Sequence, residues 1–222
     1  METAEKLHSI YSARFSKLEA RRYAVWKTLL ATYFHRWIKP EAHVLDLGCG
    51  YGEFINQVRA SKRYGMDLNP STCQKLDQGV AFLQQDCSAR WNLPDNTLDL
   101  VFTSNFFEHL PDKSSLNLTL AESFRCLKPG GRIIAMGPNI SVVEGRYWDF
   151  WDHYLPLTEK SLSEGLSLAG FEVESALARF LPYTMVGKPE YPLWTLSVYI
   201  RLPIFWRFFG EQFLIVARKP AS

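Results

Sequence analysis

The stretch Asp46-Leu47-Gly48-Cys49-Gly50-Tyr51-Gly52 constrains this chain more than any other part of it. It follows a short apolar run, HVLDLG at 43–48, and precedes GEFINQVRA at 52–60, which reads as a helix. Alternating glycines tolerate positive φ and let the backbone come close to a ligand. A helix opening near Gly52 would aim free backbone N–H groups at an anion. Any nucleotide-binding α/β protein could use such a loop. A dehydrogenase fingerprint would need glycine at position 53, where Glu53 stands, and a phosphate-cradling P-loop would need a Lys-Ser/Thr pair that is absent.

The surrounding pattern fits that class. Further strands are expected at 63–67, 80–86, 98–104 and 131–137, with helical stretches at 71–78 and 112–127 between some of them. Strands that are apolar along their length and alternate with helices imply parallel pairing with both faces covered. One or two helices precede the loop up to Ile38, where Pro40 stops them. The segment 158–169 is another helix, with Thr158 as N-cap and Gly170 just past its end. Two last strands follow at 171–179 and 212–219. No internal repeat or linker interrupts 222 residues, so the chain reads as one domain. Its parts are an N-terminal helical cap (1–40), a core (41–179), an apolar insertion (180–210) and a last strand (211–222).

Asp67 ends the second strand and Asp86 the third, at the same carboxyl edge as Asp46. A carboxylate in the first of these places can accept hydrogen bonds from both hydroxyls of a ribose, and open α/β sheets bind ligands beyond that edge. At this point the sequence resembles the class I S-adenosylmethionine-dependent methyltransferases. The matching stretches are VLDLGCGYGEF (44–54), YGMDLNP (64–70), QQDCSA (84–89), LDLVFTSNFFEHLP (98–111) and ESFRCLKPGGRII (122–134).

The resemblance implies a doubly wound, Rossmann-like and mostly parallel sheet of seven strands. The last strand would be antiparallel, with a helical insertion between strands six and seven. It implies S-adenosylmethionine as cofactor, with Gly48, Gly50 and Gly52 passing the methionine end, Asp46 bracing the loop and Cys49 a small residue in its bend. Asp67 would take the ribose hydroxyls and Leu68 would lie against adenine. Asp86 would accept from the adenine amino group beside the Cys87 N–H, while Asn105 and Phe106 would line the methionine end. Lys128-Pro129-Gly130-Gly131 would be a structural turn.

Methyl transfer is an in-line displacement at a carbon the cofactor already activates, so the protein supplies alignment and a dry site. No metal is implied. A hydroxyl acceptor also calls for a base. His109, in NFFEHLP beyond strand four, is the first candidate, though it also reads as a local packing residue. His153, in YWDFWDHYLPLT (147–158), is the second. That segment joins Tyr147, Trp148, Asp149 and Asp152, a mixture suited to a sugar or another polyhydroxylated ring; it could equally fill the core and cap the next helix. The resemblance extends, from Tyr147 to Val173, to bacterial small-molecule methyltransferases, some associated with cell-surface glycans. His8, His35 and His43 are given no role, and Tyr11 and Arg14 read as helix packing rather than as a lid.

The expected activity is O-methylation of a small hydroxylated acceptor. RNA or protein methylation, or a non-catalytic cofactor-binding partner subunit, are the alternatives. Nucleic acid is not an expected partner. The net charge is only +2, and the stretch after strand four lacks the prolines of amino-directed DNA enzymes. Four cysteines without a C-x-x-C pair, no secretion-type leader and no run of 18 apolar residues point to a cytoplasmic protein. The apolar insertion at 180–210 must be covered, by the domain as a cap over the acceptor pocket, by a second copy or by a membrane surface, and Pro203 should split it into two short helices.

Overall fold

A computed structural model of the chain describes residues 19–183 and 191–221. Seven strands form one sheet: β1 (His43–Leu47), β2 (Lys62–Met66), β3 (Val80–Leu83), β4 (Leu98–Ser104), β5 (Leu127–Pro138), β6 (Glu172–Leu177) and β7 (Gln212–Arg218). Their order is β3-β2-β1-β4-β5-β7-β6. The first five pair in parallel, and β7 runs antiparallel to both its neighbours. This is the doubly wound arrangement the sequence implied. The chain steps outward from β1 to β3, then returns to place β4 on the other side of β1. That reversal sets the carboxyl ends of β1 and β4 together, with Leu47 paired to Thr103, and opens a crevice beyond them.

Period-two alternation splits the strands between two cores. Leu45, Val101, Ile133 and Ile215 face a layer made by α2 (Lys113–Cys126) and α4 (Glu159–Leu168), whose Leu116, Leu120, Leu162 and Leu166 are buried against them. Val44, Phe102, Ile134 and Val216 face the other side, where α1 (residues 19–32) brings Leu29 and the following turn brings Tyr33 and Phe34. The first layer is mainly aliphatic. The second is aromatic, with Phe54 stacked on Phe102 and Trp26 set edge-on to both.

Local chemistry sets the helix ends. Thr158 Oγ1 accepts from the Ser161 N–H while Ser161 Oγ accepts from the Thr158 N–H, a reciprocal cap that starts α4. Gly170, at φ +97°, ends it. Asp112 caps α2 through the Ser115 N–H. A four-residue α3 (Ile140–Val143) leads into the aromatic loop after β5.

Three sequence expectations shift. The helix expected at 52–60 is a single turn, Ile55–Gln57. Side chains take the carbonyls that would have continued it: Arg63 donates to Ile55 and Asn56, and Gln57 donates to Glu53. The 71–78 helix is likewise a 3₁₀ segment, Pro70–Lys75, and β3 stops at Leu83, which leaves Asp86 in the turn beyond the strand.

The insertion does form two helices, α5 (Leu193–Arg201) and α6 (Ile204–Phe209), with Pro203 at the break. Trp206 is buried against Tyr33 and Phe180, so α6 is seated on the aromatic layer. Trp194, Phe208 and Phe209 remain exposed. No helix among the described residues is long and apolar enough to cross a membrane. Tyr11, Arg14 and His8 lie outside the described residues, as does the part of the insertion at 184–190.

Candidate active site

The glycine loop is built by its backbone. The N–H groups of Gly48 and Cys49 both donate to the Met66 carbonyl, at 2.9 and 3.0 Å, which ties the loop to the end of β2. Gly48, Gly50 and Gly52 all have positive φ. At Gly48 a Cβ would run into the Phe106 ring, whereas at Gly50 it would meet nothing within 4 Å. The first glycine is therefore demanded by the protein, and the second leaves its space to a ligand.

Asp67 sits half-buried just past β2. One carboxylate oxygen accepts from the Gly50 N–H and the other from the Asn69 N–H, each at 2.9 Å, so the loop and the carboxylate fix each other. Each oxygen retains capacity for a further donor. Leu68 beside it is 65% exposed. Asp86 is exposed, with one oxygen accepting from Ser88. Cys87 is buried, its carbonyl taking the Trp91 indole N–H. Asn105 adopts φ +50° at the end of β4 and donates to Met136 on β5.

A cavity of about 370 Å³ opens at the loop, bounded by Asp46, Gly48, Gly50, Ser104 and Asn105, with Arg22 and Trp26 of α1 as its further wall. Arg22 is paired with Glu53 at 2.5 Å and lies 5.6 Å from the Tyr51 ring centre. Burial, reinforced by Glu53, raises the Asp46 carboxyl above the usual carboxylate range. Arg22 and Trp26 are not among the site residues that the sequence predicts. Their signal was spacing: positions 22, 26, 29 and 33 share one helical face, and an arginine interrupts an otherwise apolar stripe.

A family model described as a methyltransferase domain matches residues 45–135. The chain is 32% identical over 143 residues to a probable S-adenosylmethionine-dependent methyltransferase of Mycolicibacterium smegmatis, covering 62% of this chain and 54% of that protein. It is 26% identical over 172 residues to a demethylmenaquinone methyltransferase of Symbiobacterium thermophilum, covering 71% and 67%. The fold of a SAM-dependent methyltransferase from Archaeoglobus fulgidus superposes with a TM-score of 0.68 at 22% identity, covering 94% of this chain and 99% of that one. The family match over residues 45–135, these relatives and the shared fold support the class I S-adenosylmethionine-dependent methyltransferase superfamily. The chain spans about half the length of the Mycolicibacterium relative.

The residues present fit this methyltransferase class's cofactor. Gly50 leaves open the space a side chain would fill, and Asp67 offers a carboxylate already oriented by two backbone donors. Arg22 and Glu53 together place both signs of charge at the cavity wall.

The other half of the candidate site is made of side chains. A single turn, Phe107–His109, follows β4. The His109 Nδ1 lies 2.8 Å from the Asp152 carbonyl, and the Asp152 carboxylate is 3.3 Å away. A carbonyl can only accept, so Nδ1 carries the proton and Nε2 carries the lone pair. His153 is only 6% exposed, stacks on Phe150 and packs at 5.1 Å against the His109 ring. Its Nε2 lies 3.3 Å from the Tyr183 hydroxyl, and its buried Nδ1 has no hydrogen-bond partner. Burial, and then the neighbouring His109, hold its pKa below the ordinary histidine value. Glu108 is 4% exposed, and burial, with Asp152 adding to it, pushes its carboxyl up to about 8. The Glu108 carbonyl accepts from both Tyr154 and Leu155, which joins the two loops.

The four aromatic-loop residues singled out for an acceptor separate. Tyr147 is fully buried with its hydroxyl donated to the Leu155 carbonyl, so it supports the loop from beneath. Trp148 and Asp149 are exposed, and Asp152 is half-exposed beside His109. Trp151 is 94% exposed. Glu108 and Tyr183 were not legible beforehand, because only the fold brings residues 108, 153 and 183 together.

Proposed function

We propose that this chain transfers a methyl group from S-adenosylmethionine to a hydroxyl of a small polyhydroxylated acceptor of the sugar or glycan type. The observation that carries this is the position of His109. It lies on the turn that directly follows the cavity-lining Ser104 and Asn105, with its tautomer held so that Nε2 can take a proton. The demethylmenaquinone methyltransferase relative is named for a quinone-type acceptor. The acceptor is argued instead from this chain's own loop, where exposed Trp148 and Trp151 stand beside Asp149 and Asp152. Flat apolar faces beside carboxylates suit a ring with one apolar face and several hydroxyls.

Bound S-adenosylmethionine supplies an electrophilic methyl on a sulfonium sulfur. Asp67 would orient the ribose, and Asp86 with Cys87 and Leu68 the adenine. Arg22 would face the methionine carboxylate. Gly48, Cys49, Gly50 and Gly52 set the path of the loop, which Asp46 braces, while Asn105 and Phe106 close the methionine end. Trp26 and the rest of α1 would exclude water from the reacting centre, which strengthens each of these charge interactions. His109 Nε2 would accept the acceptor's proton, and the adjacent Asp152 carboxylate would offset the resulting imidazolium charge. His153, with Tyr183 behind it, would position His109. The helices α5 and α6, seated on the same aromatic layer as α1, would brace that wall rather than contact the acceptor themselves.

The deciding experiment is incubation of cell extracts with the protein and a cofactor carrying a heavy methyl group, followed by mass spectrometry. Label on the oxygen of a hydroxylated small molecule is the expected result. Label recovered on nitrogen, on carbon, or on RNA or protein would overturn the acceptor assignment.

A further inference from the structure

Glu108, His109 and His153 form a cluster that methyl transfer uses only in part. One ligand-type atom from each of the three lies within 4.8 Å of the others. Two of these residues are almost wholly buried, Glu108 at 4% and His153 at 6% exposed. A buried polar atom is normally hydrogen-bonded, yet His153 Nδ1 has no partner while Tyr183 occupies the Nε2 side. In His109 the roles are reversed: the Asp152 carbonyl takes Nδ1–H and Nε2 keeps its lone pair. Each ring thus has one nitrogen held by an outer group, the Asp152 carbonyl on His109 Nδ1 and the Tyr183 hydroxyl on His153 Nε2, which leaves the other nitrogen to a ligand. His109 is held as metal-ligating histidines commonly are, with the second ring nitrogen donating to a carbonyl that fixes the tautomer, and in His153 the Tyr183 hydroxyl stands in the same outer place.

We propose that Glu108, His109 and His153 bind one divalent transition cation at the acceptor edge. Two imidazoles and one carboxylate suit first-row ions such as Zn²⁺ or Mn²⁺; Ca²⁺ and Mg²⁺ favour all-oxygen sites. Ligand bonds of about 2.0–2.2 Å keep ligand atoms within roughly 4.3 Å of one another, so shifts of less than about 1 Å close this cluster on an ion. Three protein ligands leave a coordination position open, as in catalytic sites. An acceptor hydroxyl in that position becomes more acidic: its proton leaves to solvent water and the cation holds the oxyanion. The cation then performs the activation that would otherwise fall to His109 Nε2. Only this last step rests on the methyl-transfer reading; the ion site itself does not.

The test uses the full chain, stripped with EDTA and titrated with Co²⁺ alone, whose visible d–d absorption reports nitrogen and oxygen ligation. One equivalent should bind with that absorption. Glu108→Gln, His109→Gln and His153→Gln should each weaken binding by about 10-fold or more. Calorimetry with the demethylated cofactor product on the same variants shows that they are folded. Folded variants that bind Co²⁺ as tightly as the wild type overturn the proposal, and so does a wild type that shows no saturable Co²⁺ spectrum. A wild type that binds Co²⁺ but no cofactor product would instead sink the methyl-transfer reading and leave the ion site standing.

Discussion

The two halves of the site are made in different ways. Around Gly48, Gly50 and Asp67 the contacts are backbone N–H groups and one carboxylate, all within a stretch of consecutive strand ends. Around His109 and His153 they are side chains from three separate segments, with Glu108 and His153 buried and their proton affinities displaced by that burial. A backbone-built subsite suits a ligand that is always the same. A subsite built from side chains on loops can change from one protein to another without disturbing the sheet that carries it. The difference accounts for how sharply the cofactor, and how loosely the acceptor, is specified by residue pattern.

Substitutions can break each half separately. The largest effect is expected from Gly48→Ala, because the new Cβ meets the Phe106 ring at a φ of +72° that side chains rarely adopt. Calorimetry should show no measurable cofactor binding; retained affinity would mean the loop can move without loss. His109→Ala should lower turnover by about 100-fold or more with cofactor affinity nearly unchanged. Equal losses in kcat and in cofactor affinity would remove the distinction between the two halves. Asp67→Ala should weaken the cofactor by about 1.5–3 kcal/mol, since it removes charge-assisted acceptors. An unchanged dissociation constant would reduce Asp67 to a strand-end residue that only ties down Gly50.

Glu108 gives the acceptor half a pH signature of its own. Its folded pKa of about 8 lies above the ordinary glutamate value, so folding of the metal-free protein takes up a proton. The stability that this provides is complete at low pH and is lost as pH rises toward 8, with a slope of at most about 1.4 kcal/mol per pH unit. Denaturation of Glu108→Gln in EDTA should lack that part of the slope; parallel curves for the two proteins would show that the carboxyl is not held neutral. The smallest effect is expected from Trp151→Ala, where the side chain is 94% exposed. The acceptor KM should rise a few-fold while thermal stability stays put, and no change in KM would remove Trp151 from the acceptor surface.

The same contrast explains what the sequence made legible. The glycine loop, the strand-terminal Asp67 and the cap at Thr158 are local devices, in which neighbours along the chain satisfy one another, so their pattern predicts their structure. Pro203 splitting α5 from α6 is equally local. The single turn at Ile55–Gln57 was missed because its carbonyls are claimed by Arg63 from the next strand, a tertiary contact that no helical periodicity reveals. Glu108 and Tyr183 near His153 escape the sequence for the same reason, whereas Arg22 is marked by its place on the apolar face of α1.

The wall formed by α1 has one further consequence. That helix is pinned at Glu19 to Lys75, at Arg21 to the Tyr191 carbonyl, at Arg22 to Glu53 and at the Tyr23 carbonyl to Gln57. Most of these partners sit on the short segments that follow β1 and β2, and the first of those segments lines the cavity. Whatever free energy a ligand gains from a closed cavity is therefore returned in equal measure as tighter docking of α1. Cofactor affinity and the anchoring of one helix become reciprocal readings of a single equilibrium, so a change in α5 or α6 that loosens α1 reaches the cofactor without touching any residue that contacts it.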